Sequence, residues 1–80
     1  MFTVYILKSL KDSKRYIGFT SNLTRRISEH SSGLVKSTRK RKPLKLIYTE
    51  EYSDKEEAMK REAFFKSGKG RDYLKEMNIF

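Results

Sequence analysis

The sequence predicts an α/β protein of the α+β kind, with a small three-stranded, mostly antiparallel sheet flanked by helices in the order β-β-α-β-α-α. Three observations predict this class. Two short stretches of alternating side chains come first, two longer stretches with helical spacing follow, and a third strand-like stretch lies between those two. With 80 residues, the chain is expected to form one domain, residues 1–80, with one modest core.

The first two strands are predicted at residues 2–8 and 15–19, where successive side chains alternate between two faces. The link between them is short and polar at its tip, which favours an antiparallel hairpin. Both Tyr5 and Tyr16 can then lie on the same face. A register with Tyr5 opposite Tyr16 is expected to make their side chains neighbours across the two strands.

A first helix is predicted from Ser21 or Asn22, both good N-cap residues, through His30, and it should stop near Gly33. At helical spacing, its narrow apolar stripe consists of Leu23, Ile27 and Leu34.

Arg26 is preferred over Arg25 as the functional arginine of this helix. Arg26 and His30 flank the apolar stripe on one side, whereas Arg25 and Glu29 fall on the far side, which is expected to be solvated.

The third strand is predicted at residues 44–49, directly after a proline. Ser53 and Glu56 then form a capping box for a second, long helix. The glycines at positions 68 and 70 are expected to end that helix, and a short third helix, roughly residues 71–77, closes the chain.

Glu62 is the most informative residue of the second helix. It projects between the residues of the predicted apolar face, which are Ala58, Met59, Ala63 and Phe65. A carboxylate in that position costs free energy unless it is paired or binds a cation. Lys66 lies four residues on, but such a pair contributes only about 0.2 to 0.5 kcal/mol. An ion pair and a metal-binding or catalytic role therefore both stay open for Glu62.

The composition indicates a polyanionic partner. Lys and Arg number 19 against 10 Asp and Glu, which gives a net charge of +9. Nucleic acid fits best, because neutralised phosphates release counterions and aromatic rings can contact bases. On charge alone, a ribosome-associated or merely soluble basic protein is an equal alternative. The chain has no Cys and no apolar run long enough for a membrane span, so we expect a cytoplasmic protein without a membrane partner.

A basic segment precedes and enters the third strand. Its six cations within ten residues are Lys36, Arg39, Lys40, Arg41, Lys42 and Lys45. Such a run is usually a solvated loop. For a nucleic-acid partner, it is better interpreted as a groove wall that contacts the nucleic-acid backbone without reading sequence.

The tripeptides Thr3-Val4-Tyr5 and Tyr16-Ile17-Gly18, followed by a helix with Arg26 and His30 one turn apart, resemble the signature of the GIY-YIG nuclease family. The resemblance covers nearly the whole chain. Thr3 replaces the family's nominal Gly, a variation that the small stand-alone members of UPF0213 type share, and the chain looks most like those members. Further matching segments are residues 16–20, 25–30, 36–38 and 66–71.

The resemblance implies a divalent-metal-dependent endonuclease that hydrolyses nucleic-acid phosphodiester bonds. It implies that Glu62 is the sole protein ligand of Mg²⁺ or Mn²⁺, and that Arg26 neutralises charge on the pentacovalent phosphate. Tyr5 is then the general base or water-positioning hydroxyl, Tyr16 holds the site together, and His30 occupies a place where many members have His. A free Tyr has a pKa near 10, so Arg26 and the metal would have to favour the phenolate of Tyr5.

Two further positions, Gly18 and Asn78, have expected roles outside the set described above. Gly18 is expected to be a place where the backbone closely approaches a helix or a phosphate. Many family members have an Asn after the last helices, and only Asn78 is available for that role, near an end that is expected to fray.

Two other functions remain open. One is a noncatalytic nucleic-acid-binding module that keeps the fold and the charge, and the other is a protein whose basic surface binds an acidic protein partner. Glu62 together with Arg26 favours the nuclease, because binding alone requires neither. DNA is favoured over RNA, and weak binding with little sequence preference is expected unless the chain forms a weak homodimer or borrows a partner.

Overall fold

A three-stranded antiparallel sheet and three helices make up the structure, a computed structural model that describes residues 1–79. The elements in chain order are β1 (Phe2–Ser9), β2 (Arg15–Thr20), α1 (Leu23–Ser31), β3 (Leu44–Tyr52), α2 (Lys55–Lys66) and α3 (Gly68–Glu76). The strand order is β2-β1-β3, with both pairings antiparallel. The predicted fold class and element order are therefore confirmed. None of the helices within residues 1–79 is long and apolar enough to span a membrane.

The register of the hairpin differs from the predicted one. Tyr5 lies opposite Gly18, and Tyr16 lies opposite Leu7. Because the difference is an even number of residues, the two tyrosines still share a face, as diagonal neighbours whose ring centroids are 6.3 Å apart.

The turn explains the register. Ser9 N donates to Lys14 O at 2.8 Å, so the turn is longer than the predicted register allows. Ser13 takes a left-handed conformation with φ 62, and the Ser9 hydroxyl accepts from the backbone N–H groups of Lys11 and Asp12. These local hydrogen bonds favour the four-residue turn over a two-residue one.

The central strand β1 is buried on both faces. On one face, Val4 and Ile6 pack in a fully buried core with residues of α2 and α3: Ala58, Phe65 and Leu74. On the other face, Tyr5 and Leu7 are also buried. Since alternate side chains of a strand point to opposite faces, β1 separates the main core from the face that carries Tyr5.

The ends of α1 agree with one of the two predicted caps. Asn22 is the N-cap, and its side chain accepts from Arg25 N at 3.0 Å. Gly33 follows the helix with φ 78, a conformation that favours glycine. Leu34 lies beyond this turn and is 76% exposed, so its predicted place in the apolar stripe is wrong.

The caps of α2 and α3 correct three predictions. Asp54 rather than Ser53 is the N-cap of α2, because its side chain accepts from Glu56 N at 2.9 Å. The glycines at positions 68 and 70 belong to α3, which begins earlier than predicted. Gly70 lets the helices approach closely, since a Cβ there would lie 1.9 Å from Phe64 O.

The buried face of α2 also differs from the predicted one. Met59 is 47% exposed and Ala63 is exposed, so neither faces the core. The side chains that turn inward are those of Ala58, Arg61, Glu62 and Phe65, at the spacing of one helix face. Glu62 therefore keeps its predicted inward position although two of its expected neighbours do not.

Arg61 joins α2 to β3 in an arrangement that the sequence analysis did not predict. Its guanidinium donates from Nε to Glu50 Oε1 at 2.8 Å and from Nη2 to Glu50 Oε2 at 3.1 Å. The same group lies 4.6 to 4.9 Å from the ring centroids of Phe64, Phe65 and Tyr73. This combination of a two-point ion pair and cation–π contacts fixes the orientation of α2 against the sheet.

Candidate active site

The Tyr5 hydroxyl is the centre of a polar cluster on the face of β1 opposite the main core. Tyr5 as a whole is 1% exposed. Arg26 Nε donates to the Tyr5 hydroxyl oxygen at 3.4 Å, and His30 Nε2 lies 3.0 Å from the same atom. The structure therefore brings the predicted tyrosine of β1 together with the predicted arginine and histidine of α1.

Gly18 lets the Tyr5 side chain cross the neighbouring strand β2. A Cβ at Gly18 would lie 2.6 Å from Tyr5 Oη and 2.8 Å from Tyr5 Cζ. The group that approaches Gly18 is thus the phenol ring of Tyr5, rather than the helix or phosphate that the sequence analysis expected.

Tyr16 packs against this cluster from β2. Its ring centroid is 5.0 Å from that of His30, with the rings 62° apart, and 6.3 Å from that of Tyr5. Tilted and edge-on arrangements of this kind are favourable for aromatic pairs. The expectation that Tyr16 holds the site together stays a prediction, and the structure shows that its ring lies beside those of Tyr5 and His30.

His30 is buried and has hydrogen-bond partners on both ring nitrogens. Its Nδ1 lies 2.7 Å from Thr38 Oγ1, and its Nε2 faces Tyr5. Because Arg26 can only donate to the Tyr5 oxygen, the Tyr5 hydrogen is free to donate to His30 Nε2. That arrangement places the histidine hydrogen on Nδ1, where it donates to Thr38. Burial, and then the charge of Arg26, lowers the pKa of His30.

Thr38 is a site residue that the sequence analysis did not single out as functional. It is fully buried in the segment between α1 and β3. That segment has no helical or strand periodicity that could indicate a role for Thr38. The only sequence signal is its place in Lys36-Ser37-Thr38, one of the segments on which the resemblance rests.

Arg26 is held by partners on two sides. Its Nη1 donates to Glu29 Oε1 at 3.1 Å, so Glu29 is not on the far, solvated side as predicted. The hydrogen bond to Tyr5, together with that to Glu29, holds the pKa of Arg26 above its ordinary value. Arg25 is exposed, as expected for a solvated neighbour.

The Tyr5 phenol is protonated at neutral pH in this environment. Burial raises the pKa of Tyr5, the hydrogen bond from Arg26 opposes that effect, and the charge of Glu62 adds to the rise. The phenolate expected for a tyrosine base is therefore disfavoured in the protein alone.

Glu62, on α2, is a single, incompletely paired carboxylate whose charge contributes to the raised pKa of Tyr5. The Glu62 side chain is 22% exposed, and the nearest cation is Lys66 Nζ at 3.6 Å from Oε2, beyond ordinary hydrogen-bond length. Within residues 1–79, no group of three or more His, Cys, Asp or Glu side chains could hold a metal ion. Glu62 thus keeps acceptor capacity for a cation whose other ligands would be water or substrate oxygens.

The basic segment divides into free and paired cations. Lys36, Arg39, Lys40 and Lys42 are exposed, and Lys42 Nζ donates to Ser31 O at 3.2 Å. Arg41 differs from them because it is only partly exposed.

Arg41 ties the basic segment to the β1–β2 hairpin. Its Nε lies 3.4 Å from Asp12 Oδ2, and its carbonyl oxygen accepts from the Ser9 hydroxyl at 2.6 Å. Arg41 therefore helps to hold the fold together. The other cations of the segment are not among the ion pairs found within residues 1–79.

Asn78 lies just past the end of α3. It is exposed, has φ 57, and its backbone N–H donates to Lys75 O at 3.1 Å. The hydrogen bonds found around Tyr5 within residues 1–79 do not include it, so its predicted role stays a prediction.

The comparison with protein families identifies the class of this β-β-α-β-α-α domain. The model of the GIY-YIG catalytic domain matches residues 1–78, so the chain belongs to the GIY-YIG family. Within that family, the chain is similar to proteins of the UPF0213 group.

A UPF0213 protein of Clostridium perfringens is 41% identical to this chain, over 95% of this chain and 97% of its own length. Another, from Streptococcus pneumoniae, is 46% identical over 82% of this chain and 67% of its own length. The solution NMR structure of a UPF0213 protein from Bacillus halodurans is similar with a TM-score of 0.60 and 38% identity, over 99% of this chain and 87% of that one. The predicted resemblance to a small member of the family is confirmed.

Proposed function

We propose that this protein is a divalent-metal-dependent endonuclease that hydrolyses phosphodiester bonds in nucleic acid. The observation that carries the proposal is the arrangement of Arg26, the Tyr5 hydroxyl and His30 in one hydrogen-bonded cluster, with the Glu62 carboxylate near enough for its charge to raise the pKa of Tyr5. Membership in the GIY-YIG family supports a nuclease in general. A protein that only bound nucleic acid would need positive charge but no such buried proton-transfer chain.

The Tyr5–His30 pair offers a path for the proton of the attacking water. As water attacks phosphorus, its proton passes to Tyr5 Oη while the Tyr5 proton passes to His30 Nε2. The bond to the 3′ oxygen breaks with its electron pair on that oxygen, which takes up a proton from solvent, and His30 returns its extra proton to solvent. This exchange never requires a free Tyr5 phenolate, which the raised pKa of Tyr5 disfavours. The lowered pKa of His30 keeps its imidazole neutral and able to accept the proton at neutral pH.

Arg26 stabilises the charge that grows on the phosphate. Its guanidinium is held by Tyr5 and Glu29, so it need not reorganise during the reaction. Its raised pKa keeps it charged throughout.

Glu62 fits a hard cation such as Mg²⁺ or Mn²⁺. One carboxylate with free acceptor capacity suits Mg²⁺, which keeps several waters and is completed by phosphate oxygens. When bound, the cation would supply charge stabilisation at the leaving 3′ oxygen. Loss of the loose contact with Lys66 would cost little, because pairs of this kind contribute only about 0.2 to 0.5 kcal/mol.

A cleavage assay tests the function directly. Labelled single-stranded, double-stranded and branched DNA, and the matching RNAs, are incubated with the protein and Mg²⁺, Mn²⁺ or EDTA. Cleavage with either metal and none with EDTA is expected, with DNA cut better than RNA. Binding to these substrates without cleavage under any condition would favour the noncatalytic nucleic-acid-binding module instead.

Replacing Gly18 with Ala is expected to reduce cleavage by about 10²-fold, because the new Cβ displaces the Tyr5 hydroxyl from Arg26 and His30. The measurement is the single-turnover rate, with thermal unfolding as a check on the fold. Gly68→Ala is the matched control, because a Cβ at Gly68 meets nothing within 4 Å. An unchanged rate in Gly18→Ala would show that the position of Tyr5 does not matter to the reaction.

The basic segment is expected to contribute affinity rather than turnover. The triple variant Arg39→Ala, Lys40→Ala, Lys42→Ala removes three exposed cations and keeps Arg41, which ties the segment to the hairpin. The plot of log affinity against log salt should flatten by about 0.7 to 0.9 per lost contact, with turnover at saturating substrate retained. An unchanged slope would identify the segment as a solvated loop, and a collapse of turnover would place catalytic groups in it.

A further inference from the structure

A second basic surface lies away from the segment at residues 36–42. A groove of about 560 Å³ runs between the start of β2 and the helix α3. Its lining includes the apolar and aromatic side chains of Tyr16, Ile17, Phe65 and Leu74. Five cations line it: Lys14, Arg15, Lys66, Arg71 and Lys75. None of these cations belongs to the basic segment, and Lys66 is also the i+4 neighbour of Glu62.

The charge of this groove is largely uncompensated. Among residues 1–79, none of those that line it is acidic. Of the five cations, only Lys66 is among the ion pairs found within residues 1–79, and its partner Glu62 is 3.6 Å away. Arg15 donates to the backbone oxygen of Ile79, which satisfies one of its N–H groups without neutralising its charge. A concave surface with one sign of charge attracts anions.

Helix α3 presents its basic residues, and not its acidic ones, to this groove. Arg71, Leu74 and Lys75 line it at the spacing of one helix face, whereas the acidic Asp72 and Glu76 do not line it. Arg71 and Lys75 are exposed, so both side chains are free to reach a ligand.

The groove adjoins the candidate active site through two of its lining residues. Tyr16 lines the groove and also packs against His30, with ring centroids 5.0 Å apart. Lys66 lines it too and contacts the Glu62 carboxylate. A strand whose phosphodiester lies at Tyr5 and Glu62 would therefore place its next phosphates beside these cations.

We propose that this groove binds the phosphate backbone of the nucleic-acid strand on one side of the scissile bond. The inference rests on the proposed function, since it takes the substrate to be nucleic acid. It adds a binding surface formed by β2, the end of α2 and α3, separate from the basic segment. Because the cations contact phosphates, the groove positions the strand without selecting its sequence.

A charge-matched pair of variants tests the groove. Arg71→Gln with Lys75→Gln removes two groove cations, and Lys55→Gln with Lys60→Gln removes two exposed cations of α2 that do not line the groove. Binding of labelled single-stranded and duplex DNA is measured by fluorescence anisotropy in EDTA at several salt concentrations. Thermal unfolding checks that both variants are folded.

The groove variant should lose about tenfold or more in affinity, and its salt slope should flatten by about 1.4 to 1.8. The control variant should keep a slope close to that of the original protein. Equal losses in both variants would overturn the proposal, because general charge would then explain the binding. A groove variant that binds like the original protein, or an original protein that binds no nucleic acid, would overturn it as well.

Failure of the groove and failure of the nuclease give different results. Selective loss of binding in the groove variant, with no cleavage by the original protein under any condition, would keep the groove and reject the nuclease. Cleavage by the original protein with unchanged binding in the groove variant would do the reverse.

Discussion

Replacing Glu62 with Gln is expected to abolish metal-dependent cleavage while the fold stays intact. Gln has nearly the same shape but no charge, so it cannot supply the single carboxylate on which a Mg²⁺ site here would depend. The fold should tolerate the change, because within residues 1–79 the only ion pair of Glu62 is the 3.6 Å contact with the exposed Lys66. The readouts are cleavage with Mg²⁺ or Mn²⁺ and the temperature of thermal unfolding.

Binding of the metal can be followed without any reaction. In the original protein, Mn²⁺ should broaden NMR signals around Glu62 and Tyr5, and Glu62→Gln should remove that broadening. Glu57→Gln is the control, since Glu57 is an exposed carboxylate on the same helix. If Mn²⁺ leaves the signals near Glu62 sharp in the original protein, the metal assignment is wrong.

Replacing Arg26 with Ala is expected to slow cleavage by roughly 10²-fold or more and to weaken substrate binding only slightly. The reason is that the guanidinium, held beside Tyr5 and Glu29, is positioned for the charge that develops in the transition state. Single-turnover rates and binding affinities, measured separately, distinguish the two effects. The fold should survive, since Glu29 keeps access to solvent.

Arg25→Ala is the matched control for Arg26. Arg25 is the preceding residue of the same helix, carries the same charge and is exposed, so its loss should change the rate little. Equal losses of rate in the two variants would mean that the charge of α1 as a whole matters, and that Arg26 has no special position.

The sequence predicts the elements well because each has its own local signal. The strands alternate, α1 and α2 begin at capping residues, and a short turn joins β1 to β2. The register of β1 against β2 is less accessible, because two registers place Tyr5 and Tyr16 on the same face. Only the hydrogen bonds of the Ser9 hydroxyl and the left-handed Ser13 decide between them.

The candidate site could be predicted only in part. Arg26 stands out from Arg25 through helical spacing, and Glu62 through its position on an inward face. Thr38 has no such signal, because it acts from an irregular segment and its partner His30 is recognised only in three dimensions.

The inward face of α2 was harder to predict for a similar reason. Its residues include the charged Arg61, which hydropathy places on the outside. Burial of Arg61 becomes favourable only through Glu50, which is distant in the chain. The Glu50 carboxylate also accepts from the hydroxyls of Tyr48 and Tyr52. Burial raises the pKa of Glu50, but the hydrogen bonds from Arg61 and the two tyrosines outweigh it and hold the pKa below its usual value.

Arg61 and Glu62 are neighbours in the chain, yet they serve different needs of the molecule. Arg61 stabilises the fold, because its loss would leave the Glu50 carboxylate without its cation between α2 and β3. Glu62 contributes little to that architecture. On the proposed function, a change at Arg61 would lower the amount of folded protein, whereas a change at Glu62 would alter what that protein does. A lineage could exchange Glu62 and still inherit the same shape and the same basic surface.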